Sequence, residues 1–105
     1  MSIPVDVNEL ERVLADFGTG YLLTVSAAHA VKAVSAAPAL VDGTLVVSGP
    51  GRGSVANVGA NPTVTLLFPP VVAGGNTLLV DGLATVSGDD VRVEPTGAVL
   101  HRAAA

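Results

Sequence analysis

From Thr19 to Arg102 the chain is a succession of short apolar, β-branched runs cut by glycine and proline. No helical segment among them is long enough to carry a parallel crossover. Parallel strands need a dozen or more connecting residues, usually a helix, so the pattern excludes a βαβ sheet. It predicts an antiparallel barrel or sandwich. Tyr21, Leu23 and Val25 alternate with Leu22, Thr24 and Ser26, and the apolar character of both sets predicts a strand covered on both faces. Val31 to Val41 is a second extended stretch, interrupted by Pro38, a residue that favours an edge or a bulge. Asp42-Gly43 signals a hairpin, with Thr44 to Ser48 returning. Thr63 to Phe68 is a strand stopped by Pro69-Pro70. In Thr77 to Val86, Gly82 marks an expected bulge or close backbone approach. Gly88-Asp89-Asp90 reads as a turn, where aspartate is expected for backbone reasons. A last strand starts at Val91, is broken by Pro95 and resumes from Ala98 to Arg102, which gives six strands in all.

Two helices complete the reading. Ser2 to Gly18 places Leu10, Val13, Leu14 and Phe17 on one helical face. Asp6 suits its N-cap, with Glu9 as the reciprocal acid and Val5 with Leu10 as a hydrophobic staple. Gly18 is expected to stop it in a left-handed conformation. A short helix over Val55 to Ala60, capped by Ser54, is ended by Asn61-Pro62.

The 105 residues amount to one domain, residues 1–105, and 50% of them are apolar against 13% charged, which excludes disorder for the chain as a whole. The apolar set is nearly all Ala, Val and Leu, with three aromatics. A core of such small side chains is expected to gain stability by association. The net charge of −4 argues against nucleic-acid and anionic-membrane partners. The chain has no cysteine, which removes disulfides and thiolate chemistry. No basic segment leads into an apolar stretch at the start, and no apolar run has the length of a membrane span, so a cytoplasmic protein is the expectation.

Gly49-Pro50-Gly51-Arg52-Gly53-Ser54 is the most informative stretch. Its glycines let backbone N–H groups converge on an anion, and the following helix start adds its positive end. Arg52 offers forked donors that match phosphate, and Ser54 a hydroxyl. The stretch is neither a P-loop, since the Gly-Lys-Ser/Thr ending is missing, nor a dinucleotide fingerprint, since the third glycine falls one position early. The alternative is a flexible surface turn. Lys32, the only lysine, reads either as a second charge near the same anion, if its strand pairs with Thr44 to Ser48 as the Asp42-Gly43 turn suggests, or as an edge charge that discourages aggregation. His29 and His101 have no third ligand at a local spacing, so no metal site is expected. No general base stands out.

Taken in order, these segments resemble the flavin-binding split-barrel proteins related to pyridoxamine 5′-phosphate oxidase. The resemblance runs over nearly the full length. It rests on a leading helix, Tyr21-Leu22-Leu23-Thr24-Val25, the Asp42-Gly43 hairpin, Thr44 to Ser48 and the glycine/serine loop. Asn57, Asn61-Pro62 and Val64-Thr65-Leu66-Leu67 match the family's N…(N/D)-P-x-V-x-L segment, Leu79 to Ala84 its long central strand, and Pro95 to Arg102 its closing segment. The resemblance implies a six-stranded antiparallel split β-barrel that forms a homodimer with FMN at the interface. It implies phosphate ligands at Lys32, Ser48, Arg52 and Ser54, with backbone near Val34 and Ser35 along the flavin ring. The activity implied is that of a flavin-dependent oxidoreductase of unspecified substrate, with the deazaflavin F420 as an alternative cofactor. Where many relatives carry a loop lysine this chain has Ser54, which motivates a second alternative, a non-catalytic barrel that is either a flavin carrier or cofactor-free.

Overall fold

The computed structural model describes residues 1–103; Ala104 and Ala105, within the tail expected to fray, lie outside them. The first correction falls at the start of the chain. Ser2–Val5 is a strand, β1, and not the beginning of a helix. It pairs antiparallel with the end of the last strand, from Ser2 opposite His101 to Val5 opposite Ala98. Asp6 caps as expected, its carboxylate accepting the N–H of Asn8, but the turn it starts is a 3-10 turn, Val7–Glu9, that runs into a five-residue helix α1, Leu10–Leu14. Glu9 makes no reciprocal cap and instead pairs with Arg12 at 3.0 Å. Gly18 does not take positive φ; the helix has already ended near Ala15.

The strands that follow are β2 (Gly20–Val25), β3 (Val31–Ala36), β4 (Ala39–Val41), β5 (Thr44–Val47), β6 (Thr63–Phe68), β7 (Thr77–Ser87) and β8 (Asp90–His101). Helix α2, Arg52–Ala60, lies between β5 and β6. The eight strands form one antiparallel sheet in the order β3-β2-β6-β7-β8-β5-β4, with β1 added to β8. This is the expected split barrel, with eight strands instead of the expected six. One extra strand is β1. The other arises because Pro38, which has no N–H to donate, divides the expected Val31–Val41 stretch into β3 and β4.

Asp42 and Gly43, with φ of 50° and 82°, form the hairpin turn that positive φ at both centres requires. Pro95 does not break the last strand. Asp81 pairs with Gly97 and Gly82 with Pro95, which leaves Thr96 as the extra residue of a bulge, and a bulge is where a strand tolerates proline. Gly82 is the close approach expected: a Cβ there would stand 2.5 Å from a Val93 methyl carbon and 2.7 Å from the Glu94 carbonyl oxygen.

The bulge lets β8 serve two neighbours on the edge away from β7. Its first half pairs with β5 and its second half with β1. The inner faces bury Leu22, Leu45, Val47, Val64, Leu66, Phe68, Leu78, Val80, Val91 and Val93, closed by Leu10 and Val13 of α1 and Val58 of α2. Among the described residues no helix is long and apolar enough to cross a membrane.

Candidate functional site

Helix α2 starts earlier than its sequence suggests. Gly51, with φ of 99°, is the N-cap residue, and Ser54 is the third helical residue and not the cap. A backbone angle of that kind is open to glycine at little cost, so the glycine loop sets the point at which the helix begins. The first intrahelical bond runs from the Val55 N–H to the Gly51 carbonyl at 3.1 Å. The N–H groups of Arg52, Gly53 and Ser54 are therefore donors without an intrahelical acceptor, at the positive end of the helix. Asn61, at φ −146° and ψ 107°, closes the helix before Pro62 as expected.

Lys32 reaches this end from β3. It stands opposite Thr24 in the β2–β3 ladder, and so shares the inner side of the sheet with it. A Cβ built on Gly53 would meet Lys32 Cε at 3.0 Å and Nζ at 3.2 Å. The ammonium thus lies directly over the glycine of the first helical turn. Arg52 is exposed and lines a concavity with Gly49, Gly51, Val55, Ala56 and Asp89. Lys32 and Arg52 are both free of carboxylate partners within 4 Å; among the described residues the one ion pair is Arg12 with Glu9.

Ser54 is fully buried and its Oγ has no hydrogen-bond partner. A buried hydroxyl left unpaired costs about 1–3 kcal/mol, so this atom marks either stored strain or a partner yet to arrive. Sequence reasoning misses a polar pair beside it. Thr24 is fully buried, and its Oγ1 accepts from Asn57 Nδ2 at 3.0 Å, which pins α2 to β2. Only the strand alternation around Thr24 hints at its inward direction.

The remaining expected site residues lie around this centre. Ser48 is exposed just past the end of β5, at the entry to the glycine loop. Val34 is half-buried on the inner side opposite Leu22, and Ser35 is exposed opposite Tyr21. Both belong to β3, the terminal strand of the sheet, whose far edge has no strand partner among the described residues. The acidic turn between β7 and β8 also reaches the loop, since the Gly49 N–H donates to Asp90 Oδ1 at 3.0 Å. His29 sits in the β2–β3 turn with φ of 65°, and His101 Nδ1 lies 3.1 Å from the Ser2 hydroxyl, so the two histidines are not brought together at this site.

The outer face of the same sheet is apolar. Tyr21, Leu67, Leu79 and Val99 form a cross-strand row, continued by Leu23 with Ala33 and Val25 with Val31. Val31 is 68% exposed and Leu83 51%. Asp81 and Glu94 are the charged residues of this face: the Asp81 carboxylate accepts from the Thr65 hydroxyl at 2.7 Å, and Glu94 lies opposite Leu83.

No family model matches the chain. It is 35% identical, over a 117-residue alignment, to the uncharacterized proteins Mb0449c of Mycobacterium bovis and MT0457 of Mycobacterium tuberculosis, covering 96% of this chain and 82% of each relative. Solved structures that share its fold include two FAD-binding proteins. A FAD-binding protein of Mesorhizobium loti superposes with a TM-score of 0.69 at 18% identity, over 97% of this chain and 98% of the other. The FAD binding protein of Mycobacterium smegmatis superposes with a TM-score of 0.67 at 17% identity, over 97% and 100%.

Proposed function

We propose that this chain, which belongs to the family of the mycobacterial proteins Mb0449c and MT0457, is a cytoplasmic, homodimeric flavoprotein that holds FMN by its phosphate at the N-terminus of α2. The observation that carries the reading is the meeting of three features in the first turn of α2. Three helix N–H donors and the Lys32 ammonium over Gly53 meet there, and Ser54 of the same helical turn carries a buried hydroxyl with no partner. Each is a feature that a phosphate oxygen would satisfy. The Arg52 guanidinium on the other flank of the helix would meet a second oxygen, and Ser48 would close the loop side. Solved proteins of the same fold bind FAD, which supports a flavin over other phosphate esters.

Bound flavin supplies hydride or electron transfer, while the protein supplies position and electrostatics. The residues named here bind and orient; none of them is a general base. An oxidoreductase role follows from the cofactor class, with the substrate open. The apolar outer face supports the dimer. Nine apolar residues with two charged groups, Asp81 and Glu94, would be better buried against a copy of themselves than left in water.

FMN titration followed by quenching of flavin fluorescence tests the reading. Binding is expected for the native chain. Lys32→Ala and Arg52→Ala should each weaken it by about tenfold or more, since a charge-assisted phosphate contact is worth about 1.5–3 kcal/mol. Riboflavin, which lacks the phosphate, should bind all three proteins alike. Equal loss of riboflavin and FMN, or no binding of either by the native chain, would remove the proposed site.

A further inference from the structure

The turn that joins β7 to β8 brings two carboxylates to a loop built to attract anions. Asp90 Oδ1 accepts the N–H of Gly49, the first glycine of the loop, from 41 residues further along the chain. Asp89 shares the concavity of Gly49, Gly51 and Arg52. One backbone donor of the loop is thus already taken by an internal anion, and a second carboxylate faces the loop's only cation. Set against Lys32 and Arg52, the two acids bring the formal charge around the end of α2 to zero. None of the four is within ion-pair distance of another. The carboxylates therefore leave both cations free to reach a ligand, while their field weakens its hold.

We propose that the Asp89-Asp90 turn weakens this site's hold on its phosphate ligand, so that the flavin exchanges readily from the folded chain. The inference rests on the anion site proposed above. An anion entering the loop gains from Lys32, Arg52 and three helix N–H donors and loses to two nearby negative charges. Exposed charges at such separations act through solvent, each altering affinity by about two- to fivefold. Asp90 also ties the glycine loop to the β7–β8 turn through Gly49 and so helps to fix the point where α2 starts. Asparagine at position 90 keeps an acceptor oxygen for that tie and removes only the charge.

The experiment compares the full chain with the double variant Asp89→Asn/Asp90→Asn. Each is loaded with FMN and passed through a desalting column, and affinities for FMN and riboflavin are measured at low and high salt. The native chain is expected to lose most of its FMN on the column. The double variant is expected to bind FMN about tenfold more tightly, to emerge with flavin bound, and to bind riboflavin unchanged. Its gain should shrink at about 0.5 M salt, where such charges are screened. Asp89→Asn alone, which leaves the Gly49 contact intact, should give about a threefold gain and stands in if the double variant misfolds. Native protein that leaves the column fully loaded overturns the inference, as does a variant with no FMN gain over riboflavin. If the native chain binds FMN and the variants match it, this inference alone falls. If none of the proteins binds FMN, the anion site falls with it.

Discussion

Gly53→Ala separates the stability of α2 from its proposed role in opposite directions. Gly53 has ordinary helical angles, so alanine fits its backbone without strain. Replacing a helical glycine stabilises by up to about 1 kcal/mol, less near a helix end, partly by restricting the unfolded chain. The new methyl would stand 3.0 Å from Lys32 Cε and 3.2 Å from Nζ. That is tight, but the neighbour is the end of an exposed, flexible side chain that can swing away. A net gain of about 0.5 kcal/mol is expected, or about 2–4 °C in the unfolding midpoint of a domain this size. Binding should move the other way. The displaced ammonium and the methyl over the Gly53 N–H remove about one charged hydrogen bond, so the FMN Kd should rise by about tenfold. Gly59→Ala is the internal control, because it lies in the same helix with nothing within 4 Å of its Cβ. It should raise the melting temperature and leave FMN binding alone. Thermal unfolding by circular dichroism and fluorescence titration read the two effects. A Gly53→Ala protein that is stabilised and binds FMN with native affinity would show that no anion sits over this glycine.

Three further outcomes follow from specific contacts. Gly82→Ala drives a Cβ into the Val93 methyl and the Glu94 carbonyl; since one obstacle is backbone, the loss should be about 1–3 kcal/mol, seen as a lower urea midpoint with unchanged slope. Ser54→Ala deletes the unpartnered buried hydroxyl, so without flavin it should stabilise by about 0.5–1 kcal/mol, while FMN protects the variant less than the native chain in a thermal shift. Tyr21→Lys places a charge on the exposed apolar row of the outer face; it should leave the fold intact by circular dichroism and convert a dimer into a monomer in sedimentation, because burying an unpaired charge costs several kcal/mol.

The fold is legible where short-range signals and sheet pairing agree. The Asp42-Gly43 hairpin, the Asn61-Pro62 helix end and the Gly82 bulge each follow from local chemistry. Two of the misreadings, at Ser2–Val5 and at Pro95, share one cause, since a partner distant in sequence overrides a local preference. Ser2–Val5 becomes a strand because the second half of β8 offers an open edge at Ala98–His101, almost a hundred residues away. Pro95 stays inside a strand because Gly82, on β7, has no side chain to resist the bulge. The open edge is not visible from Ser2–Val5, nor is the pairing with Gly82 visible from Pro95.

The same division runs through the candidate site and decides what can be asked of it. The glycine loop is visible in the sequence as three closely spaced glycines before a helix. Lys32 connects to the loop only through strand pairing, and that pairing comes from an unexpected direction. It faces Thr24 of β2, and Asn57 binds Thr24 to the helix, so the lysine reaches α2 by way of β2. Asp90 reads as a turn residue, which it is, yet its carboxylate holds Gly49 across the sheet. Attraction is thus written locally, in Gly49 to Ser54, while the opposing charge arrives through tertiary structure. A sequence reading therefore sees the cations of such a site sooner than its anions. Only measured affinity with the acids neutralised one at a time separates the two.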